Sequence, residues 1–128
     1  MLNIIATGKI IHAASYFKKP DDPNTFVTFK IETHPDIPGM EKHIERFECN
    51  CDQYLKMQID GDFEDLDLKK LIIGTNVKVA GEFYQMRKKL DDGRTISLND
   101  IYMSSLEILP DESEDTYYAG MSIRGARR

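Results

Sequence analysis

The segment from Leu71 to Tyr84 constrains the fold of this chain more than any other. An apolar run ends at a Gly-Thr turn, and apolar and polar residues then alternate with the period of a half-buried strand. Gly81 interrupts this strand, as glycine does at a bulge or a close backbone approach. A basic run and the turn formed by residues 91–93 come before a further strand. This order predicts a two-stranded finger that projects from a small β-barrel.

The same test of periodicity divides the rest of the chain. Between residues 52 and 73 the period lengthens, which predicts one or two short helices broken near Gly61. Three strands, a helix and two long strands are the layout of a five-stranded OB-fold barrel. We therefore predict an all-β fold with a short helix between strands three and four and a long finger made by strands four and five. The predicted strands are residues 3–12, 25–33, 42–51, 75–89 and 94–109.

The length of 128 residues predicts one domain, residues 1–109, and a flexible C-terminal tail, residues 110–128. The tail is acidic, then carries Tyr117 and Tyr118, and ends in a basic group. No apolar run approaches the roughly 20 residues of a membrane-spanning helix. The first residues also lack the basic and apolar layout of a signal peptide. We expect a cytoplasmic protein without membrane contact.

Charge is unevenly distributed along the chain. The formal net charge is −5, but ten of the 22 acidic residues lie in two blocks, within residues 60–67 and 107–115. Outside these two blocks the chain has 12 acidic residues, compared with 17 Lys and Arg in the whole chain. Segregation of this kind lets one face bind a polyanion despite a low overall pI. We expect the carboxylates to lie in loops and the tail, and the cations to share an outer channel with aromatic rings.

Catalytic and metal-binding chemistry have little support in the sequence. Cys49 and Cys51 lie two positions apart in a predicted strand, roughly 6.5 Å along the chain, which disfavours a disulfide between them and indicates two small core residues. The three histidines have no metal-ligand spacing, and the acidic residues 60–65 do not fit a calcium loop. Nucleophile motifs and phosphate-binding glycine loops are absent. We predict no metal, no cofactor and no enzymatic activity.

From Asn3 to about Leu109, the chain resembles the bacterial and phage single-stranded DNA-binding protein family. The resemblance depends on the opening residues 3–10, the strand at residues 26–31, and residues 68–81 followed by the basic finger. It implies an OB fold that coats single-stranded DNA as a dimer or tetramer. Ile44 stands where familiar members carry a base-stacking Trp, and this chain has no Trp. The family's acidic C-terminal tip is also missing, which points to a divergent phage or plasmid member.

Binding of single strands without sequence preference requires cations for phosphates and aromatic faces for bases. Phe26 either stacks on a base or packs against the helix or a neighbouring subunit, and Lys18 and Lys19 either contact DNA or are solvated. Tyr84 alternates with Phe83 and is expected to stack, whereas a bulge expected near residues 99–100 leaves the side of Tyr102 open. The candidate nucleic-acid-binding residues are Lys9, Tyr16, Lys18, Lys19, Phe26, Lys30, Lys42, Arg46, Tyr84, Arg87, Lys88, Lys89 and Arg94.

The leading hypothesis is a non-enzymatic homo-oligomer that coats single-stranded DNA in replication, recombination or transfer of a phage or plasmid, with a possible protein partner at the C-terminal tail. The alternative is an OB-fold protein–protein adaptor of such machinery that does not bind DNA itself. Net acidity and the missing Trp favour the adaptor. A third hypothesis, an OB-type nuclease, would need a clustered carboxylate–arginine–metal site.

Overall fold

A computed structural model describes residues 2–34, 38–40, 42–110 and 121–123. In this part of the chain the regular structure is eight strands and one 3-10 turn, Leu68–Lys70. Within these residues no helix has the length and apolar character that crossing a membrane requires. The strands are β1 (Leu2–Lys18), β2 (Thr25–Thr33), β3 (Glu45–Asp52), β4 (Lys56–Ile59), β5 (Asp62–Asp65), β6 (Asn76–Lys89), β7 (Thr95–Ile108) and β8 (Met121–Ile123).

All eight strands belong to one sheet, which closes on itself. The order is β3-β2-β1-β6-β7-β4-β5, and β8 pairs with β1. The β1–β2, β2–β3, β1–β6 and β6–β7 pairs are antiparallel. A parallel pairing joins β3, at one end of this path, to β7, so the sheet closes there and β4 and β5 continue from β7.

The interior is filled by the alternate apolar residues of these strands. In β2, Val27, Phe29 and Ile31 are buried, as their spacing predicts. Burying one such side chain contributes roughly 1.5–3 kcal/mol. Gly8 allows β1 to approach β2 closely, because a Cβ at this position would lie 2.6 Å from the carbonyl oxygen of Glu32. The rest of the core comes mainly from β1, β3, β6 and β7.

The prediction of a helix between the third and fourth strands was wrong, and so was that of a five-stranded barrel. Residues 52–73 instead contain the β4–β5 hairpin and the 3-10 turn. Asp60 and Gly61 connect the hairpin with φ values of 51° and 87°. Positive φ at both central residues is the type I′ geometry that joins two strands tightly, and an Asp-Gly pair favours it. Gly61, which the sequence pattern indicated as a helix break, is therefore the second residue of a hairpin turn.

The finger consists of β6 and β7, paired from Val77 and Ile108 to Lys89 and Thr95. Its outer half, residues 84–89 and 94–97, is exposed on both faces and therefore extends beyond the barrel. The register shifts between Ala80, which pairs with Ser105, and Gly81, which pairs with Met103, so the extra residue of the bulge is Ser104 of β7 and the bulge is not near residues 99–100 as expected.

The predicted flexible tail, residues 110–128, lies outside the described residues except at Pro110 and β8. Tyr117, Tyr118 and the basic end therefore remain sequence predictions. β8 pairs antiparallel with residues 4–6 of β1.

Candidate nucleic-acid interface

The register of three strands brings distant residues together on one outer face. Across β6 and β7, Tyr84 lies opposite Asp100. Across β7 and β3, Asp100 lies opposite Glu48, and Tyr102 lies opposite Asn50. Residues directly opposite in a sheet point to the same side. Positions separated by about 50 residues in sequence thus become neighbours on this surface.

The face continues onto β2. Lys30 pairs with Glu48 and Thr28 pairs with Asn50. The Thr28 hydroxyl lies 3.4 Å from a Glu48 carboxylate oxygen, to which it donates a hydrogen bond. Because inward and outward residues alternate, the outward side chains of β2, β3, β6 and β7 form one continuous surface around the core.

A groove of about 620 Å³ runs along this surface, and we call it the face groove. Charged, amide and aromatic side chains line it together, with more carboxylates than cations among them. Its lining residues are Phe17, Lys19, Glu48, Asn50, Glu82, Tyr84, Gln85, Met86, Asp100 and Tyr102.

Two tyrosine rings in the face groove are open to solvent. Tyr84 is 48% exposed and Tyr102 is 38% exposed. The Tyr84 hydroxyl donates a hydrogen bond to Glu82, which raises the pKa of Tyr84. Partial burial and nearby carboxylates raise the pKa of Tyr102. Both rings are therefore neutral at physiological pH and offer flat faces for stacking.

Phe17 and Lys19 line the face groove, and Phe26 packs against both of them. The Phe17 and Phe26 ring centroids lie 5.6 Å apart, and the Lys19 ammonium lies 4.6 Å from the centre of the Phe26 ring. Lys19 also lies 5.7 Å from the Tyr102 ring centre. Phe26 is only 5% exposed, so it supports this corner by packing under its neighbours. Lys19 is the cation that the first loop brings to the groove.

The expectation that carboxylates lie only in loops and the tail was wrong. Glu48, Glu82 and Asp100 all line the face groove. Partial burial and the Glu48 charge raise the pKa of Asp100, while Lys30 acts in the opposite direction. Arg46 is close to Glu32, with 3.4 Å between its Nε and a carboxylate oxygen. The centre of the face is thus acidic, and cations surround it.

The finger cations divide between two sides. Lys88 lies four residues, about 13 Å, beyond Tyr84 along β6. Because side chains alternate along a strand, Lys88 is on the same side of the finger as Tyr84. Arg87 and Lys89 alternate to the opposite side. Arg94 lies in the turn, where its Nε is 2.6 Å from an Asp92 carboxylate oxygen. Of the four predicted finger cations, the structure aligns Lys88 best with the face groove.

Other predicted residues lie elsewhere. Tyr16 is 55% exposed and lines a separate groove with Tyr54. Lys18 alternates to the same side as Tyr16. Two further predicted residues also lie away from the face groove. Lys9 is partly buried in β1, and Lys42 is exposed in the loop before β3.

Cys49 and Cys51 are free and buried, as predicted. Burial raises the pKa of Cys49 and brings that of Cys51 to about 12, which keeps both thiols protonated. Among the residues that the structure describes, no group of His, Cys, Asp and Glu side chains could hold a metal ion.

Several groove residues are not among those predicted from the sequence, and the reason is topological. Tyr102 lies between the buried Ile101 and Met103, and this alternation indicates that its side chain points outward. The prediction left its side open because a bulge was expected near residues 99–100. Glu48 and Asn50 have no local signal, since only the parallel pairing of β3 with β7 places them in the groove.

Solved structures with the same fold include single-stranded DNA-binding proteins. The small single-stranded DNA-binding protein of Streptomyces coelicolor matches with a TM-score of 0.56 and 15% identity, over 81% of this chain and 90% of that chain. The Plasmodium falciparum SSB, solved in complex with single-stranded DNA, matches with a TM-score of 0.54 and 15% identity, over 86% of this chain and 96% of that chain.

A dimeric structure of the N-terminal domain of PriB from Thermoanaerobacter tencongensis has a TM-score of 0.52 and 14% identity, over 86% of this chain and 98% of that chain. The chain shares the fold of these proteins, which confirms the predicted resemblance to single-stranded DNA-binding proteins at the level of the fold. The sequence matches no family model and no curated protein.

Proposed function

We propose that this protein binds single-stranded DNA along the face groove and is not an enzyme. The observation that carries the proposal is the pair of exposed rings, Tyr84 and Tyr102, in one groove that Lys19 lines and beside which Lys30 pairs with Glu48. Flat rings bordered by cations are what a flexible polyanion with planar bases requires. The shared fold with single-stranded DNA-binding proteins supports the same conclusion.

The two parts of the ligand have different sites in this proposal. Bases stack on Tyr84 and Tyr102, and stacking of this kind contributes roughly 1–3 kcal/mol per base. Phosphates stay near the cations at the border of the groove, namely Lys19, Lys30 and Lys88. The carboxylates in the centre keep the backbone out of the groove and so fix the side from which the strand presents its bases.

We further propose that the protein acts as a dimer or tetramer in the cytoplasm, in replication, recombination or transfer of a phage or plasmid genome. The sequence resemblance supports this setting. The dimeric structure of the PriB domain supports an oligomer. A protein partner at the C-terminal tail belongs to the same proposal.

The test is fluorescence anisotropy of a labelled single-stranded oligonucleotide titrated with the protein at several salt concentrations. Three phosphate contacts predict a slope of log affinity against log salt of about −2, since each contact to a single strand contributes about −0.7. Duplex of the same sequence is the control and should bind more weakly. Binding that is absent at low salt would refute the proposal.

The second candidate is a protein–protein adaptor with this fold that does not bind DNA. The carboxylates Glu48, Glu82 and Asp100 favour it, because they repel a polyanion from the centre of the face. The same titration separates the two functions, since an adaptor would show no salt-sensitive binding to oligonucleotides.

A further inference from the structure

The polar groups of the face groove are mostly hydrogen-bond acceptors. Glu48, Glu82 and Asp100 contribute carboxylates, which accept and do not donate when ionised. Asn50 also lines the groove, and its Oδ1 is buried without a hydrogen-bond partner among the described residues. A buried acceptor without a partner costs free energy that a bound donor can recover. The groove is therefore complementary to a ligand rich in donors.

Several donors of the groove are already engaged or lie at its border. Tyr84 donates its hydroxyl hydrogen to Glu82. Gln85 donates through its Nε2 to Asn99, at 2.9 Å. Lys19 lies over two aromatic rings at one end. A ligand atom that needs a donor thus finds few in the centre, whereas an amino group meets several acceptors.

Phosphate groups cannot satisfy these acceptors, because they are anionic and carry no donor at neutral pH. The bases can, since exocyclic amino groups donate two hydrogens each. Cytosine presents its N4 amino group where thymine presents the O4 acceptor, and Asp and Glu are the side chains that accept from cytosine N4. The two pyrimidines are close in size, and they differ at this edge position, at N3, where only thymine carries a hydrogen, and at C5, where only thymine carries a methyl group.

We propose that the face groove selects amino-bearing bases, and cytosine over thymine in particular, through acceptors at Glu48, Asn50 and Asp100. This inference rests on the proposed function, because it concerns which bases bind at the same site. A base stacked on Tyr102 lies beside Asn50, and one stacked on Tyr84 lies beside Asp100. Each ring therefore has a partner acceptor in the register, so stacking and edge recognition act on one base.

The experiment compares labelled oligo-dC and oligo-dT of equal length by anisotropy at pH 7.5 and one fixed salt concentration. The proposal predicts about tenfold tighter binding of oligo-dC, the factor that corresponds to 1.4 kcal/mol. Phosphate contacts are the same in both ligands, so the ratio of affinities isolates the base contribution. The wild-type ratio needs no variant and tests the proposal directly.

Asp100→Asn is the informative variant, since an amide can donate to thymine O4 as well as accept from cytosine N4. The ratio of the oligo-dC affinity to the oligo-dT affinity should fall toward one, chiefly because this variant binds oligo-dT more tightly than the wild type does. Asp62→Asn is the matched control: Asp62 is exposed on β5, outside the face groove. It removes the same charge and should leave the ratio unchanged. Glu48→Gln is a second groove variant and should also lower the ratio.

The outcomes separate this inference from the proposed function. Tighter binding of oligo-dC that declines in Asp100→Asn or Glu48→Gln supports the inference. Equal binding of both oligonucleotides, or tighter binding of oligo-dT, overturns the inference and leaves single-strand binding intact. Failure to bind either oligonucleotide at low salt overturns both. Thermal melting of each variant confirms that it is folded before its ratio is interpreted.

Discussion

Gly81 of β6 lies so close to Tyr102 of β7 that no side chain fits between them. A Cβ at Gly81 would collide with the Tyr102 carbonyl oxygen and would lie 2.8 Å from Met103 Cα. The contact occurs at the register shift between Ala80 and Gly81, beside Ser104, the extra residue of β7 at this bulge. This glycine therefore sets the position from which Tyr102 reaches the face groove.

The first prediction concerns Gly81→Ala. The added methyl group meets backbone atoms, which cannot rotate away, so the free energy of unfolding should fall by roughly 3 kcal/mol. Urea denaturation measures this change. Ser97→Ala, on the exposed finger, is the control and should change stability by less than about 0.5 kcal/mol. An unaltered midpoint in Gly81→Ala would show that the strands do not approach as described.

The second prediction compares two neighbouring lysines of the finger. Lys88 shares the side of Tyr84 and should contact phosphate, whereas Lys89 alternates to the other side. Lys88→Ala should make the slope of log affinity against log salt concentration less negative by about 0.7, which is the contribution of one phosphate contact to a single strand. Lys89→Ala removes the same charge and should reduce it less. Identical salt slopes in the two variants would contradict the assignment of Lys88 to the groove side.

The third prediction concerns stability and pH. The pKa of Asp100 is raised above its ordinary value of 3.8, first by partial burial and then by the Glu48 charge. Ionised Asp100 therefore destabilises the folded state at neutral pH, and protonation relieves this cost as the pH falls through the folded-state pKa. Asp100→Asn should raise the melting temperature by roughly 1–3 °C at pH 7.

The difference between Asp100→Asn and the wild type should shrink as the pH falls toward the ordinary pKa of 3.8, because the wild-type carboxyl, whose pKa is raised, takes up its proton above that pH. Asp62→Asn, at an exposed position, serves as the control and should show little change. A lower melting temperature in Asp100→Asn at pH 7 would mean that the carboxylate makes a stabilising contact, contrary to this account.

The fourth prediction concerns the two thiols. Cys49 and Cys51 are buried, and their raised pKa values keep the reactive thiolate scarce. A thiol reagent such as DTNB at pH 8 should react over hours or not at all with the folded protein. Both thiols should react at once in concentrated guanidinium chloride. Rapid labelling of either thiol in the native protein would contradict their place in the core.

Local patterns in the sequence were enough to find the long strands. The alternation of Val27, Phe29 and Ile31 fixes both the extent and the buried side of β2, because a strand has one apolar face. The region around Met57 was misread, since two four-residue strands are too short to show a clear period. The Asp60-Gly61 turn was the available signal for the hairpin, and it was interpreted as a helix break.

The site was only partly predictable for a different reason. Tyr84 could be found because it alternates with an inward Phe83 within a single strand. Glu48 and Asp100 become neighbours only through the parallel pairing of β3 with β7, which depends on the closed topology and not on any local pattern. Overall charge counts also hid the acidic centre of the face, since they do not tell which carboxylates converge.

The most direct test of the central claim is the affinity of a labelled single-stranded oligonucleotide for the Tyr84→Ala/Tyr102→Ala double variant. Loss of two stacking rings predicts a decrease of at least about 30-fold at low salt, given roughly 1–3 kcal/mol per base and tenfold per 1.4 kcal/mol. Phe63→Ala removes a ring that is 71% exposed on β5, outside the face groove, and should bind like the wild type. If the double variant also binds like the wild type, single-stranded DNA does not occupy this groove.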